Sequence, residues 1–371
     1  MLVKNNYNEC VTNLACSIRK YFGLNYKHNT LGYIDKLLNE KQPKNVVVML
    51  FDGMGSKILD RTLNKNDFFI KNKEKEITTV FPATTTAATY SVMTGLNPVE
   101  HGYLGWYSYV EPIDEVIMLF TGINKNTQEV SEKYSKARQK YFVNKTITDE
   151  INEEGKYKSR ILFPFGEEKY DDLDNMLSLI KEECNSEGKK YIYAYDDEPD
   201  HTMHEFGPDS AEVKELIKMR NNKVEALCNE LEDTIIFVIA DHGHIKIDNI
   251  FLKNYPDIIE MLERTTSIEQ RAVSFKIKDG LYHKFEKRFK ELFGEYFVLY
   301  TKDEIINSKL FGDGKENSLF RSALGDYIAI AETSNKTLLM DGDEELFSQH
   351  AGYTDDEIYI PLIVIDKTKK C

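Results

Sequence analysis

The chain has 371 residues, 41% of them hydrophobic and 30% charged, a composition that fills a core and excludes both a disordered and a membrane-spanning protein. Its formal charge of −14 argues against a nucleic-acid polymer or an anionic membrane as partner, since both are held by a net basic face. An anionic substrate would need local positive charge, and bound metal is the simplest source.

Met1 to Asn6 runs into polar sequence with no apolar signal core, and no later segment has the roughly 20 apolar residues that span a bilayer, so a cytoplasmic protein is expected. Cys10, Cys16, Cys184, Cys228 and Cys371 are scattered without C-x-x-C spacing, which suggests neither a disulfide framework nor a thiolate metal site. Residues 7–22 and 30–40 have helical apolar spacing, the second with Thr30 as its N-cap. Asn45 to Phe51 is a continuous apolar run ending at Asp52-Gly53, the pattern of a buried strand and a turn. A further strand is expected to end at Phe81-Pro82, before a helix from Thr86 to Thr94 stopped by Gly95. Strands at 189–195 and from Thr234 to Ala240 alternate with helical patterns at 171–186 and 209–231, and Ile360 to Ile365 is a last apolar strand. Residues 103–160 and 265–335 are less regular, mixing β-like runs such as Ala272 to Ile277 with an amphipathic helix at 282–294. They are assigned to a cap or insertion. The expected fold is a single α/β catalytic domain over 1–371, with a mostly parallel central sheet flanked by helices on both faces. In such sheets ligands gather beyond the carboxyl ends of the strands.

Polar residues at those ends recur in five places. Asp52 ends the first strand; alone, Asp-Gly is ordinary turn chemistry. Thr84, Thr85 and Thr86 open a helix, where free N–H groups and the dipole favour a phosphate. In Glu198-Pro199-Asp200-His201-Thr202-Met203-His204 the carboxylate of Asp200 and the imidazole of His204 stand four residues apart, so one helical turn directs both to the same metal ion. His201 points elsewhere and is read as a bystander. Asp241-His242-Gly243-His244 ends another strand, Gly243 permitting a turn by which adjacent Asp and His reach one ion. His350 lies in Gln349-His350-Ala351-Gly352-Tyr353. Of eight histidines in the chain, five fall in the last three places, a clustering that scattered surface histidines would rarely give. Asp52, Asp200, His204, Asp241, His242 and His350 make six oxygen or nitrogen ligands, three for each of two divalent ions, and the thiolate-free set suits catalytic Zn²⁺.

The order of these motifs resembles the alkaline phosphatase superfamily, and within it the bacterial type of the nucleotide pyrophosphatase/phosphodiesterase family, from about Asn45 to Ile365. The family's Phe-Pro-x-x-Thr nucleophile segment is similar to Phe81 to Thr85, and that register selects Thr85. Its Glu-Pro-Asp-x-x-x-His-x-x-Gly-Pro, Asp-His-Gly and late His-Gly elements are similar to Glu198–Pro208, Asp241–Gly243 and His350–Gly352. The resemblance implies that Asp200, His204 and His350 hold one zinc, while Asp52, Asp241, His242 and the Thr85 oxygen hold the other. The family commonly places an Asn three residues after its nucleophile as a donor to a phosphoryl oxygen. Here that position is Ala88, so such a donor is missing or supplied from elsewhere.

The expected activity is hydrolysis of phosphodiester or nucleotide pyrophosphate bonds through a covalent phospho-threonine, on a small phosphate-containing substrate with nucleotides among the candidates. Thr86 and Trp106 are assigned to substrate binding, although Trp106, Tyr107 and Tyr109 fit packing of the cap better than stacking on a nucleobase. A phosphomonoesterase or phosphonate hydrolase of the same superfamily is the alternative. A metal-bound nucleotide-binding protein is the non-enzymatic one.

Overall fold

The Asn45–Phe51 strand is buried along its whole length and occupies the interior of a six-stranded sheet. The order is Lys73–Thr78, Tyr359–Asp366, Thr234–Ile239, Asn45–Phe51, Lys190–Asp196, Lys158–Leu162. The computed structural model describes residues 4–165 and 169–368; Met1-Leu2-Val3 and Cys371 lie outside them. Continuous apolar runs belong in the interior because both faces of such strands are covered, and each fully buried Val, Ile, Leu or Phe contributes about 1.5–3 kcal/mol. The edges read differently. Lys73–Thr78 is Lys-Glu-Lys-Glu-Ile-Thr and Lys158–Leu162 is Lys-Ser-Arg-Ile-Leu, and charge on an edge strand discourages pairing with another chain.

Four neighbouring strands run parallel, and their register sets up the site. Leu50 lies level with both Tyr195 and Ile239, and Phe51 with Asp196, so Asp52 and Asp241 leave the sheet side by side. Tyr359–Asp366 runs antiparallel to Thr234–Ile239. Its beginning therefore faces the carboxyl ends of its neighbours, and the loop carrying His350 arrives at the same edge as Asp52 and Asp241.

The helices flank this sheet near their predicted positions: Val11–Phe22, Gly32–Lys41, Thr85–Thr94, Leu173–Asn185 and Ala211–Cys228. Gly95, at φ 71°, ends the third as expected. Thr30 is not an N-cap. The capping position is Leu31, and the Thr30 hydroxyl instead donates to the Asp35 carboxylate at 2.7 Å. The strand expected to reach Phe81-Pro82 ends at Thr78. Thr79 N–H still bonds Ile358 O at 2.9 Å, but Pro82 has no N–H to offer a ladder, and 79–84 runs as an irregular connection.

Segments 103–160 and 265–335 meet in a second, antiparallel sheet. Its order is Val298–Thr301, Tyr327–Ile330, Ala272–Phe275, Ser267–Ile268, Tyr107–Val110, Glu115–Met118. The Tyr282–Phe293 helix covers it with Phe285, Phe289 and Phe293, a four-residue spacing that aligns three rings on one face. The end of the first segment departs from the assignment as cap: the Ile147–Glu154 helix leads into Lys158–Leu162, a strand of the central sheet. The four described cysteines are free and buried. No helix among the described residues is long and apolar enough to cross a membrane.

Candidate active site

Thr85 is the first residue of its helix. That position leaves the N–H groups of Thr85, Thr86 and Ala87 without a carbonyl four residues back, facing whatever approaches the helix end. The Thr85 hydroxyl donates to Asp52 Oδ2 at 3.3 Å and lies 3.2 Å from His242 Nε2. Asp52 is reached from the other side by the Tyr195 hydroxyl, which donates to Oδ2.

Asp52, Asp241 and His242 form one group around this oxygen. His242 Nε2 is 3.2 Å from Asp52 Oδ1 and 3.5 Å from Asp241 Oδ2. Asp241 Oδ1 accepts the N–H groups of Gly53 and His242, both at 3.0 Å; Oδ2 is buried without a hydrogen bond. Burial, with Asp200 nearby, pushes the Asp52 carboxyl well above its usual range, and burial beside Asp52 does the same to Asp241. Two buried carboxyls that resist ionisation and an orphaned oxygen beside an imidazole are what a divalent cation would satisfy. Gly53 makes the turn at φ 71°. Gly243 does not: it is glycine because a Cβ there would lie 2.0 Å from Asp356 O. Glycine is required after His242 by this close approach of two backbones.

The Asp200–Phe206 helix brings Asp200 and His204 to one side, with His204 Nε2 3.1 Å from Asp200 Oδ2. His350 Nε2 stands 4.0 Å from Asp200 Oδ1, and its ring stacks on His242 at 3.7 Å between centroids. Burial opposes ionisation of Asp200, yet the imidazoles of His204 and His244 hold its carboxyl well below the usual range. His204, against its burial, is raised by Asp200, while burial and the neighbouring His242 push His350 well down. The ring nitrogens facing away are tied: His204 Nδ1 to Ser348 O at 2.9 Å, His350 Nδ1 to Ala83 O at 3.0 Å, His242 Nδ1 to Gly243 O at 3.2 Å. Each bond turns Nε2 inward, the arrangement of metal-binding histidines.

Five of the six expected ligand residues thus meet at the carboxyl edge of the sheet in two groups that share Asp200, and Asp241 adjoins them through His242 at 3.5 Å. Ligand atoms of Asp200, His204, His244 and His350 lie within 4.8 Å of one another, as do those of Asp52, Asp200 and His242. His244 was counted with the clustered histidines but given no role, and its Nε2 is 2.5 Å from Asp200 Oδ1. Its signal was the Asp-His-Gly-His spacing itself.

A cavity of about 810 Å³ opens over Thr85, lined by Trp106, Phe120, Phe163, Phe165 and Phe347 among others. Trp106 both faces this space and packs edge-on against Phe120 at 5.6 Å. Tyr109 does not line it and stacks under Arg264 instead. The Thr86 side chain is fully buried, its hydroxyl unpartnered and outside the cavity lining; as a substrate contact Thr86 has only its backbone N–H to give. Ala88 lies in the apolar core and outside the cavity lining. His201 is exposed at the cavity's edge. Glu269, which no sequence pattern marked, accepts the Thr84 hydroxyl at 2.5 Å and Trp106 N–H at 2.7 Å. Burial raises its carboxyl to about 7. Ile268 at φ 71° and Ala351 at φ 75° adjoin Glu269 and His350, and left-handed conformations in non-glycine residues gather at functional sites.

The sequence profile of the type I phosphodiesterase / nucleotide pyrophosphatase family matches residues 46–354. No curated protein matches the chain at a significant level. Among solved structures, an inactive variant of murine ectonucleotide pyrophosphatase / phosphodiesterase 5 in complex with AMP superposes with a TM-score of 0.65 at 18% identity, over 88% of this chain and 90% of that one. The human protein of the same name gives 0.64 at 16% over 88% and 90%. Phosphonoacetate hydrolase from Sinorhizobium meliloti 1021, in complex with phosphonoformate, gives 0.62 at 15% over 88% and 91%. At these identities the three share the fold.

Proposed function

Because the chain belongs to the type I phosphodiesterase / nucleotide pyrophosphatase family, hydrolases of phosphoric ester and phosphoanhydride bonds, we propose that it cleaves small phosphodiesters or nucleotide pyrophosphates with Thr85 as nucleophile. Asp200, His204 and His350 would hold one divalent ion, and Asp52, Asp241 and His242, with the Thr85 oxygen, the other. Bound there, two ions, zinc by the donor set, supply Lewis-acid stabilisation of the threonine alkoxide and of charge on the phosphoryl oxygens.

The Thr85 oxygen attacks phosphorus in line with the departing oxygen. A Thr85 O–P bond forms as the P–O bond to the leaving group breaks, the hydroxyl proton passing to solvent and the leaving oxygen departing with the bonding pair. The free N–H groups of Thr86 and Ala87 would donate to a phosphoryl oxygen, and the aromatic wall that includes Trp106 would shield the organic group from water. Water then attacks the same phosphorus, the Thr85 O–P bond breaks, and the hydroxyl is restored. Two inversions give net retention.

The reading is carried by one observation: Thr85 Oγ1 sits 3.2–3.5 Å from Asp52 and His242 on the floor of a large cavity. Preference for diesters over monoesters follows from charge. Lys125 is the sole lysine or arginine lining the cavity among the described residues, and it is paired with Asp343 at 2.7 Å. Beyond the proposed metal ions, the second negative charge of a monoester would meet no unpaired lysine or arginine among the described residues of the lining. Release of p-nitrophenolate from bis(p-nitrophenyl) phosphate tests the proposal: turnover by the zinc-loaded wild type and none by Thr85→Ala is expected, and equal rates would contradict it.

A further inference from the structure

We propose that His244 is itself a metal ligand, the fourth side chain of the Asp200/His204/His350 group. This rests on the metal-dependent reading above and goes beyond its three ligands per ion. The argument starts at Ser348. Its hydroxyl donates to Met203 O at 2.5 Å, which spends its only hydrogen. His244 Nδ1, 2.9 Å from the same oxygen, must therefore be the donor in that contact. A neutral imidazole protonated at Nδ1 carries a lone pair at Nε2, and this one faces Asp200 Oδ1 at 2.5 Å. The ligand atoms of Asp200, His204, His244 and His350 all lie within 4.8 Å of one another, a spacing that one ion can span.

The surroundings repeat the pattern seen at the other ligands. Ser348 also accepts His204 Nδ1 through its carbonyl, so one residue fixes two imidazoles, with ring centroids 4.6 Å apart, and turns both Nε2 atoms toward Asp200. His244 is fully buried, and its ring meets His350 edge-on at 5.1 Å. One oxygen and three nitrogens fill a tetrahedron, so an ion here admits a further ligand only by expanding to five-coordination. That favours ions tolerant of the expansion and makes the two groups unequal.

A crystal structure of the zinc-loaded wild-type protein decides the matter. We expect His244 Nε2 at a bonding distance, about 2.0–2.1 Å, from an ion shared with Asp200. An ion held by Asp200, His204 and His350 alone, with His244 donating to Asp200 from beyond about 3 Å, overturns this inference and leaves the proposed function standing. No ion in either group overturns both. In solution, chelator-competition titration of His244→Gln adds a second readout, since a glutamine amide can donate to Asp200 but replaces an imidazole ligand poorly. A loss of affinity of about tenfold or more is expected. Wild-type affinity in that variant would make His244 a positioning residue and refute its ligand role.

Discussion

Replacing Arg271 by Met perturbs the support of His350 without touching the site. Arg271 and Glu357 are both fully buried. The guanidinium donates to Glu357 Oε1 at 2.7 Å and Oε2 at 3.0 Å, and to Lys336 O and Ser334 O at 2.8 and 2.9 Å. Glu357 in turn accepts Gly352 N–H at 2.7 Å and the Thr354 hydroxyl at 2.7 Å, so the pair pins the loop that begins at His350. Burial opposes the Glu357 charge and Arg271 more than offsets it, lowering the carboxyl below its usual range. Arg271→Met leaves that carboxylate buried and unpaired, which costs about 3–5 kcal/mol, a large share of the roughly 5–15 kcal/mol available to a folded protein. Urea unfolding of the metal-free protein reads the loss. Adding Glu357→Gln removes the stranded charge and keeps the Gly352 N–H bond to Oε1, at the loss of the acceptor for Thr354 N–H, and should recover part of it. A single variant within about 1 kcal/mol of wild type, or a double variant no better than the single, would refute the reasoning.

Glu269→Gln should alter pH dependence. The carboxyl moves from its ordinary 4.5 to about 7 in the fold, so its contribution is full below the ordinary value and lost as pH rises through about 7. That difference corresponds to roughly 3 kcal/mol. Chemical unfolding of the metal-free protein at pH 5 and pH 8 should show the wild type losing more stability than the variant; equal losses would contradict the burial argument. Asp241→Asn removes a carboxyl that burial and Asp52 make costly to ionise. The metal-free variant should melt no lower than the metal-free wild type at neutral pH, yet gain less from added Zn²⁺ than the wild type, for which each bound ion contributes about 2.7 kcal/mol at a hundredfold excess over Kd. His204→Ala or His350→Ala should lower zinc content by elemental analysis, and full occupancy would remove their proposed role.

The central strands were legible because their chemistry is local. Asn45 to Phe51 and Thr234 to Ile239 are apolar runs that only an interior strand can use, and each ends at an acid that the parallel register carries to the same edge. The Thr85–Thr94 helix announced itself by the threonines at its start and Gly95 at its end. Asp200 and His204 were readable from one turn of helix. What stayed hidden depends on contacts between distant segments. The second sheet joins Tyr107–Val110 to Ser267–Ile268, about 160 residues apart, and no local pattern encodes that pairing. Glu269 became a site residue through the same contact, which also explains why its short strand carried no signal. The surroundings of position 88 are hidden for a related reason: spacing from Thr85 says which turn of the helix it occupies, while its packing in the apolar core comes from distant segments. Tyr195 and Ser348 orient Asp52, His204 and His244 through bonds that sequence alone does not reveal.

The stereochemical course at phosphorus gives the most direct test of attack by Thr85. A phosphorothioate diester of defined chirality, hydrolysed in isotopically labelled water by the zinc-loaded protein, should yield product of retained configuration, because the phosphorus is displaced once by Thr85 and once by water. Inversion would mean that water attacks the substrate in a single step, and the covalent threonine would have to be abandoned.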